Sequence, residues 1–300
     1  MKELRNKYGI SFDVVMSMAI HLKKRNKSLS LIEKDTPTLE KRWKKVNKEE
    51  FLSYLNDFYR ETNFNTFFKA HKDLYEKGIE SYQHNVIQHY DINWYTDFYG
   101  HKPQETFSII IGFCNGDGNY GINRQIKGNT KEVFTIIGYY VNQEDKPMYY
   151  EECLPTLIHE FNHSFINHFL DGNKYPEHVQ ALEPAATDLF KSSRWSMMKQ
   201  TYGNWQTMIN ESLVRAAVIC YMMDHHVDAS EVNDELSEQL QRNFRWMPEL
   251  VKLLRKYEKR KDRYGCFERF YPHVIDFFKE YVQKEDERLK CNYMKNPKGK

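Results

Sequence analysis

His159 and His163 stand four residues apart, with Glu160 directly after the first, in the stretch Leu157-Ile158-His159-Glu160-Phe161-Asn162-His163. On a helix that spacing turns both imidazoles the same way, one turn apart. Two neutral imidazoles so placed can share a zinc ion, each at ~2.0–2.1 Å. Glu160 lies about 100° round the helix from His159, near enough to reach a water on the metal without ligating it. The chemistry of such a set is hydrolysis by metal-activated water, with Glu160 as general base and then as proton carrier to the leaving nitrogen. Leu154, Leu157, Ile158, Phe161, Phe165, Ile166 and Phe169 make the surrounding stretch read as a largely buried helix, from about Glu151 to about Asp171. Imidazoles and a carboxylate on such a helix need partners, because unpaired buried polar groups are costly. A metal is one such partner, and a hydrogen-bonded core pair is another.

A catalytic zinc takes three protein ligands. His168 is five residues past His163, about 140° round the helix, and faces away. The metzincin pattern requires Gly three residues after the second histidine and a ligand six after it. Those positions are Ile166 and Phe169, which excludes it. His178 fits a site supplied partly from a loop. Glu211 is the stronger candidate. It lies 48 residues after His163, among Trp205, Met208, Ile209, Leu213, Ala216, Ala217, Cys220 and Tyr221, on a strongly apolar helix. Arg215, one turn on, offers Glu211 an ion pair instead, and the two roles are compatible. Tyr202, just before this helix, is a candidate donor to a developing oxyanion. A peptide could add as a strand to a sheet edge, either along Glu132 to Val141 or along Asn119-Tyr120-Gly121.

His159-Glu160-x-x-His163 followed by a helical glutamate tens of residues later resembles the gluzincin zinc peptidases. Three blocks, with the opening Lys7-Tyr8-Gly9-Ile10-Ser11 to His21-Leu22, narrow the resemblance to a bacterial domain-of-unknown-function family of gluzincin-like peptidases. They are Gly118-Asn119-Tyr120-Gly121, His159-Glu160-Phe161-x-His163-Ser164-Phe165-x-Asn167, and Tyr202-Gly203-x-Trp205 with Asn210-Glu211-x-x-Val214-Arg215-Ala216. The likeness spans most of the chain and is specific in these blocks. It implies zinc bound by His159, His163 and Glu211, Glu160 as base, a zincin-like fold and a peptide or protein substrate. Many relatives are exported or lipid-anchored in the cell envelope, which implies a leader missing from this sequence. One position departs from the pattern. Gluzincins commonly carry Asp four residues after the ligand Glu, where it orients a histidine, and here that residue is Arg215. Arg215 would then hold Glu211 from outside or bind a substrate carboxylate or carbonyl, and Asn210 or Asp171 would orient the histidine. The same site would serve a zinc hydrolase of a non-peptide amide or ester, and a closed version would be a non-catalytic, metal-stabilised binding module.

Composition sets the wider limits. The 44 basic and 42 acidic residues give a net charge of +2, too balanced for nucleic acid as the main partner. No apolar run approaches the ~20 residues that span a bilayer. Cys114, Cys153, Cys220, Cys266 and Cys291 are widely spaced and form no Cys-x-x-Cys, so they read as free or buried thiols. Residues 295–300 are basic and read as a frayed end.

The positioning elements follow from periodicity. Helices are expected over 12–24 with Ser11 as N-cap, over 48–60 behind an Asn47/Glu50 capping box, from Asn65 into the high eighties, and over Asn93 to Tyr99, ending at Gly100. The 48–60 helix should turn Phe51, Tyr54, Leu55 and Phe58 inward. Residues 25–46 read as a loop with a short helix near Leu39 to Trp43. Phe107 to Phe113 and Glu132 to Val141 read as strands, and Asn115 to Gly121 as a turn. After the motif helix come helices from His178 to Phe190 interrupted at Pro184, around Arg194 to Tyr202, and from Asn204 to His225. Helices over 230–245, 248–261 and 266–288, with a break at Pro272, follow. The expected fold is α+β and mostly α-helical, with a small, mostly antiparallel sheet beside the motif helix. It reads as one domain with a helical part (1–102), a sheet and zinc-site core (103–227) and a helical C-terminal part (228–300).

Overall fold

The structure, a computed structural model, describes residues 2–34 and 36–295, with the helical backbone alone at 286 and 288–295. The Cys291 side chain and the tail from 296 to 300 lie outside the described residues. The elements in chain order are α1 (Lys2–Tyr8), α2 (Asp13–Ile20), β1 (Leu22–Arg25), β2 (Ser28–Leu31), α3 (Lys48–Glu61), α4 (Phe64–Ala70), α5 (Lys72–Asn85) and α6 (Asn93–Tyr99). Then come β3 (Thr106–Ile111), β4 (Tyr120–Arg124), β5 (Glu132–Ile137), α7 (Leu154–Ile166), α8 (Pro176–Lys199), α9 (Trp205–Asp224), α10 (Ala229–Gln241), α11 (Met247–Glu258), α12 (Lys261–Tyr264) and α13 (Phe267–Lys295). The chain is thus α+β and mostly helical, with small sheets. It gathers into two compact units, Met1–Asp91 with Pro103–Phe161 and Ile92–Lys102 with Asn162–Lys300.

In the first unit, α2 is shorter than the expected 12–24 helix. It starts from Phe12, which holds φ 52°, and Ser11 does not cap it. It stops at Ile20 because residues 22–31 form a hairpin, with Leu22 opposite Leu31 and Arg25 opposite Ser28. Asn26 takes the left-handed conformation (φ 55°) that a two-residue hairpin turn demands. Lys23, Lys24 and Arg25 lack the β-branched signal of a strand, so the sequence reads as helix end and loop. Asn47 caps α3 as expected, accepting from the Glu49 and Glu50 amides at 3.2 Å. The inward face expected for α3 is only partly inward: Tyr54 and Phe58 are 67% and 55% exposed. The long helix expected after Asn65 is two helices, because the backbone leaves helical geometry at His71 (ψ 18°).

The sheet order is β3-β5-β4. The two expected strands, β3 and β5, pair parallel from Thr106↔Glu132 to Ile111↔Ile137. The sheet is therefore mixed rather than mostly antiparallel. The connection between those strands contains β4, which pairs antiparallel with β5 from Tyr120↔Ile136 to Arg124↔Glu132. Turn-type residues at 118–121 mask the start of β4, although Tyr120, Ile122 and Arg124 alternate with more exposed neighbours as a strand requires. Helix α2 packs on β4, and Ile20, Phe134 and Ile136 form a core cluster with Met16, Tyr120 and Ile122 against it.

In the second unit, α9 matches its expected bounds and buries fourteen of its residues, Glu211 among them. It packs against α8, α10 and α11. Pro184 does not interrupt α8, nor Pro272 α13. An internal proline costs a helix ~3 kcal/mol. Leu182, Ala186 and Leu189 are fully or almost fully buried around Pro184, and Phe270, Tyr271 and Val274 around Pro272. Burial on that scale, ~1.5–3 kcal/mol for each large side chain, outweighs the lost hydrogen bond. Arg255 pairs with Asp224 and, at 2.6 Å, with Glu258, while the Trp94 indole donates to Asp224 at 2.8 Å. Burial, and then the neighbouring Asp224, push Glu258 up to about 8.

Candidate metal centre

Helix α7 has two unlike sides. Leu157, Ile158, Phe161, Phe165 and Ile166 are at most 3% exposed. Cys153 just before the helix, and Thr156, His159, Glu160, His163 and Ser164 along it, line a half-buried stripe. The apolar side fixes the helix, and the stripe carries the candidate site residues. Asn162 is buried and accepts a hydrogen bond from the Tyr99 hydroxyl at 2.8 Å, a further anchor for the helix.

His159, His163 and Glu211 each offer a ligand atom within 4.8 Å of the others. Among the described residues no other group of three histidine, cysteine or acidic side chains is gathered in this way. His163 Nε2 lies 3.4 Å from Glu211 Oε1. Two ligands at ~2.0–2.1 Å from a tetrahedral ion are about 3.3 Å apart, so this spacing fits a zinc-sized ion between them. The donor set is two imidazoles and one carboxylate, a group that could hold a metal ion.

Asn167 Oδ1 lies 3.2 Å from His163 Nδ1. With the proton on Nδ1 donating to that oxygen, Nε2 carries the lone pair that could ligate a metal. Asn210 or Asp171 was expected beside a histidine; the residue that lies against His163 Nδ1 is Asn167. Asp171 instead accepts from the Asn173 amide at 2.9 Å in a turn. Asn210 buries an Oδ1 that has no hydrogen-bond partner. The i,i+4 spacing of His163 and Asn167 was the available signal.

Glu211 is held from behind. Its side chain is 9% exposed. The Tyr202 hydroxyl donates to Oε2 at 2.9 Å, and Arg215 Nε lies 3.3 Å from the same oxygen, as an ion pair rather than an aligned hydrogen bond. Arg215 Nη2 also donates to the Tyr202 hydroxyl at 2.8 Å. Burial, and then the Glu211 charge, push the Tyr202 hydroxyl up to about 12, against the pull of Arg215. Tyr202, expected as an oxyanion donor, therefore stays protonated and points its hydroxyl hydrogen at Glu211 Oε2. Burial pulls Arg215 down, but Glu211 and Tyr202 outweigh it, so the guanidinium sits above its ordinary range.

Glu160 belongs to the same stripe. A Cβ on Gly121 would run into its carboxylate. Glycine thus lets β4 lie directly against the candidate base, and an isolated Gly in a strand was the sequence signal for that close approach. Asn119 and Tyr120, expected behind the ligands or at the substrate, make structural contacts here. Asn119 accepts from the Gly138 amide at 2.9 Å, and Tyr120 packs into the cluster of Ile20, Phe134 and Ile136. His178 is a core histidine on α8, 3.2 Å from the Phe169 carbonyl and stacked between Tyr175 and Tyr271. Neither it nor His168 joins the ligand cluster. The four described thiols, Cys114, Cys153, Cys220 and Cys266, are free.

Compared with known proteins, the chain belongs to the family described as a domain of unknown function (DUF4932), which matches residues 3–277. That span includes every residue of the site. No curated protein matches the chain, and no solved structure does. Among the described residues no helix is long and apolar enough to cross a membrane.

Proposed function

We propose that this protein is a zinc-dependent peptidase of gluzincin type. The observation that carries the reading is the 3.4 Å spacing of His163 Nε2 and Glu211 Oε1, with His159 in the same cluster. His159, His163 and Glu211 would hold the ion. Zinc in such a set supplies Lewis acidity, polarising a carbonyl and making a water acidic enough to attack near neutral pH. Glu160 takes the proton of the attacking water and returns it to the departing nitrogen, as its position one residue from His159 allows. Asn167 keeps the His163 tautomer correct for ligation. The edge position of β4 favours a peptide over other amides and esters. Central β5 has partners on both sides, so of the two edges considered only β4 remains to take an extended chain, and Gly121 brings it against Glu160.

The test combines metal analysis with cleavage of a peptide library. Wild type and Glu160→Gln should purify with about one zinc each, while His163→Ala and Glu211→Ala should lose it. Only the wild type should cleave peptides. A zinc-free wild type, or a Glu160→Gln protein that still cleaves, would sink the reading.

A further inference from the structure

We propose that Tyr202 and Arg215 are positioning residues that fix the Glu211 carboxylate so that it offers the metal a single oxygen, Oε1. The inference rests on the metal-centre reading above and adds to it how the third ligand is set.

The two carboxylate oxygens stand in different surroundings. Oε2 accepts a hydrogen bond from the Tyr202 hydroxyl at 2.9 Å and lies 3.3 Å from Arg215 Nε in an ion pair. Oε1 faces His163 Nε2 at 3.4 Å. The Tyr202 hydroxyl engages a lone pair of Oε2 and the Arg215 charge attracts the same oxygen, so turning the carboxylate for two-oxygen chelation would cost the hydrogen bond and weaken the ion pair. Ligation through Oε1 alone keeps the total at three ligand atoms and leaves room for water and a substrate carbonyl.

The donors are themselves aimed. The Tyr202 hydroxyl accepts from Arg215 Nη2 at 2.8 Å, which leaves its own proton for Glu211. Arg215 Nη1 donates to Gln239 Oε1 at 3.1 Å, and Gln239 Nε2 donates to Glu235 Oε1 at 2.6 Å. The guanidinium also lies over the Phe244 ring, 5.5 Å from its centroid. A relay of contacts therefore runs from α10 to the ligand oxygen. A buried cation is tolerated only when paired, and its pair here is Glu211.

The test measures zinc affinity of the full chain by chelator competition, with the visible spectrum of the cobalt(II)-substituted protein and the melting temperature of the metal-free protein. Tyr202→Phe should bind zinc about 10–100-fold more weakly, shift the cobalt bands as Glu211 swings to two-oxygen binding, and leave the metal-free melting temperature nearly unchanged. Arg215→Met should weaken zinc at least as much, and Arg215→Lys should recover part of the loss. If Arg215→Met does not fold, Tyr202→Phe decides alone. A Tyr202→Phe protein with wild-type zinc affinity and an unchanged cobalt spectrum, beside a Glu211→Ala protein that has lost zinc, overturns the clamp and spares the centre. A wild type that binds no zinc overturns both.

Discussion

Substituting Gly121 by alanine separates catalysis from metal binding in a way that ligand mutations do not. The backbone of Gly121 is ordinary strand, without the positive φ that would make a side chain strained. Its new Cβ would fall within 3.0 Å of Glu160 Oε2, a distance that real Cβ atoms essentially never show. The neighbouring carboxylate carbon and Cβ of Glu160, at 3.4 and 3.7 Å, are in ordinary contact. Only the carboxylate tip has to move, by about 1 Å, and a flexible tip can do so at small cost to folding. Catalysis is less forgiving, since a misplacement of ~1 Å is worth ~10²-fold. Gly121→Ala should therefore keep its zinc stoichiometry and melting temperature while kcat/KM falls about 100-fold, or ~2.7 kcal/mol of transition-state stabilisation. The assay is steady-state cleavage of a peptide found with the wild type, read beside the zinc content of the same preparation. A variant that cleaves at the wild-type rate, while Glu160→Gln is inert, would refute the placement of β4 against the base.

Other substitutions test the supports. Asn167→Ala removes the oxygen that faces His163 Nδ1 and should weaken zinc about tenfold, again by chelator competition. Leu213→Ala on the buried face of α9 should cost ~2–5 kcal/mol, read as a lower urea midpoint with an unchanged slope. Glu258 binds its proton more tightly folded (about 8) than unfolded (about 4.5). Its contribution to stability is thus fully present below about pH 4.5 and declines as pH rises towards 8. Glu258→Gln should flatten that decline in urea titrations across the range. An unchanged pH slope would contradict the burial argument.

The grouping of His159, His163 and Glu211 was more legible in the sequence than the three-stranded sheet. His159, His163 and Glu211 could be picked out because helical periodicity is strict, and a polar residue on an apolar face stands out. Asn167 carried the same i,i+4 signal but looks ordinary, since asparagine near a helix end has many uses. Tyr202 and Arg215 could be singled out, yet their shared hold on one oxygen of Glu211 arises only when a loop and a helix meet in space. β4 was hidden because glycine and asparagine supply turn chemistry and close-approach chemistry alike. The β1–β2 hairpin was hidden because its first strand is mostly cationic. Pro184 and Pro272 misled for the opposite reason: local propensity argued for breaks, and burial of the flanking side chains overruled it.

Helices α3 and α4 contain no buried residue, whereas α9 is buried along most of its length. Opening a segment costs the burial it gives up, so these two regions breathe on very different free-energy scales. The helices around Phe58 and Phe67 can open many times for each global unfolding event. Glu211, by contrast, sits on a helix whose opening approaches unfolding of the whole unit. The Glu211 carboxylate is therefore held in place for as long as its unit stays folded, while the aromatic surface of α3 and α4 opens at little cost.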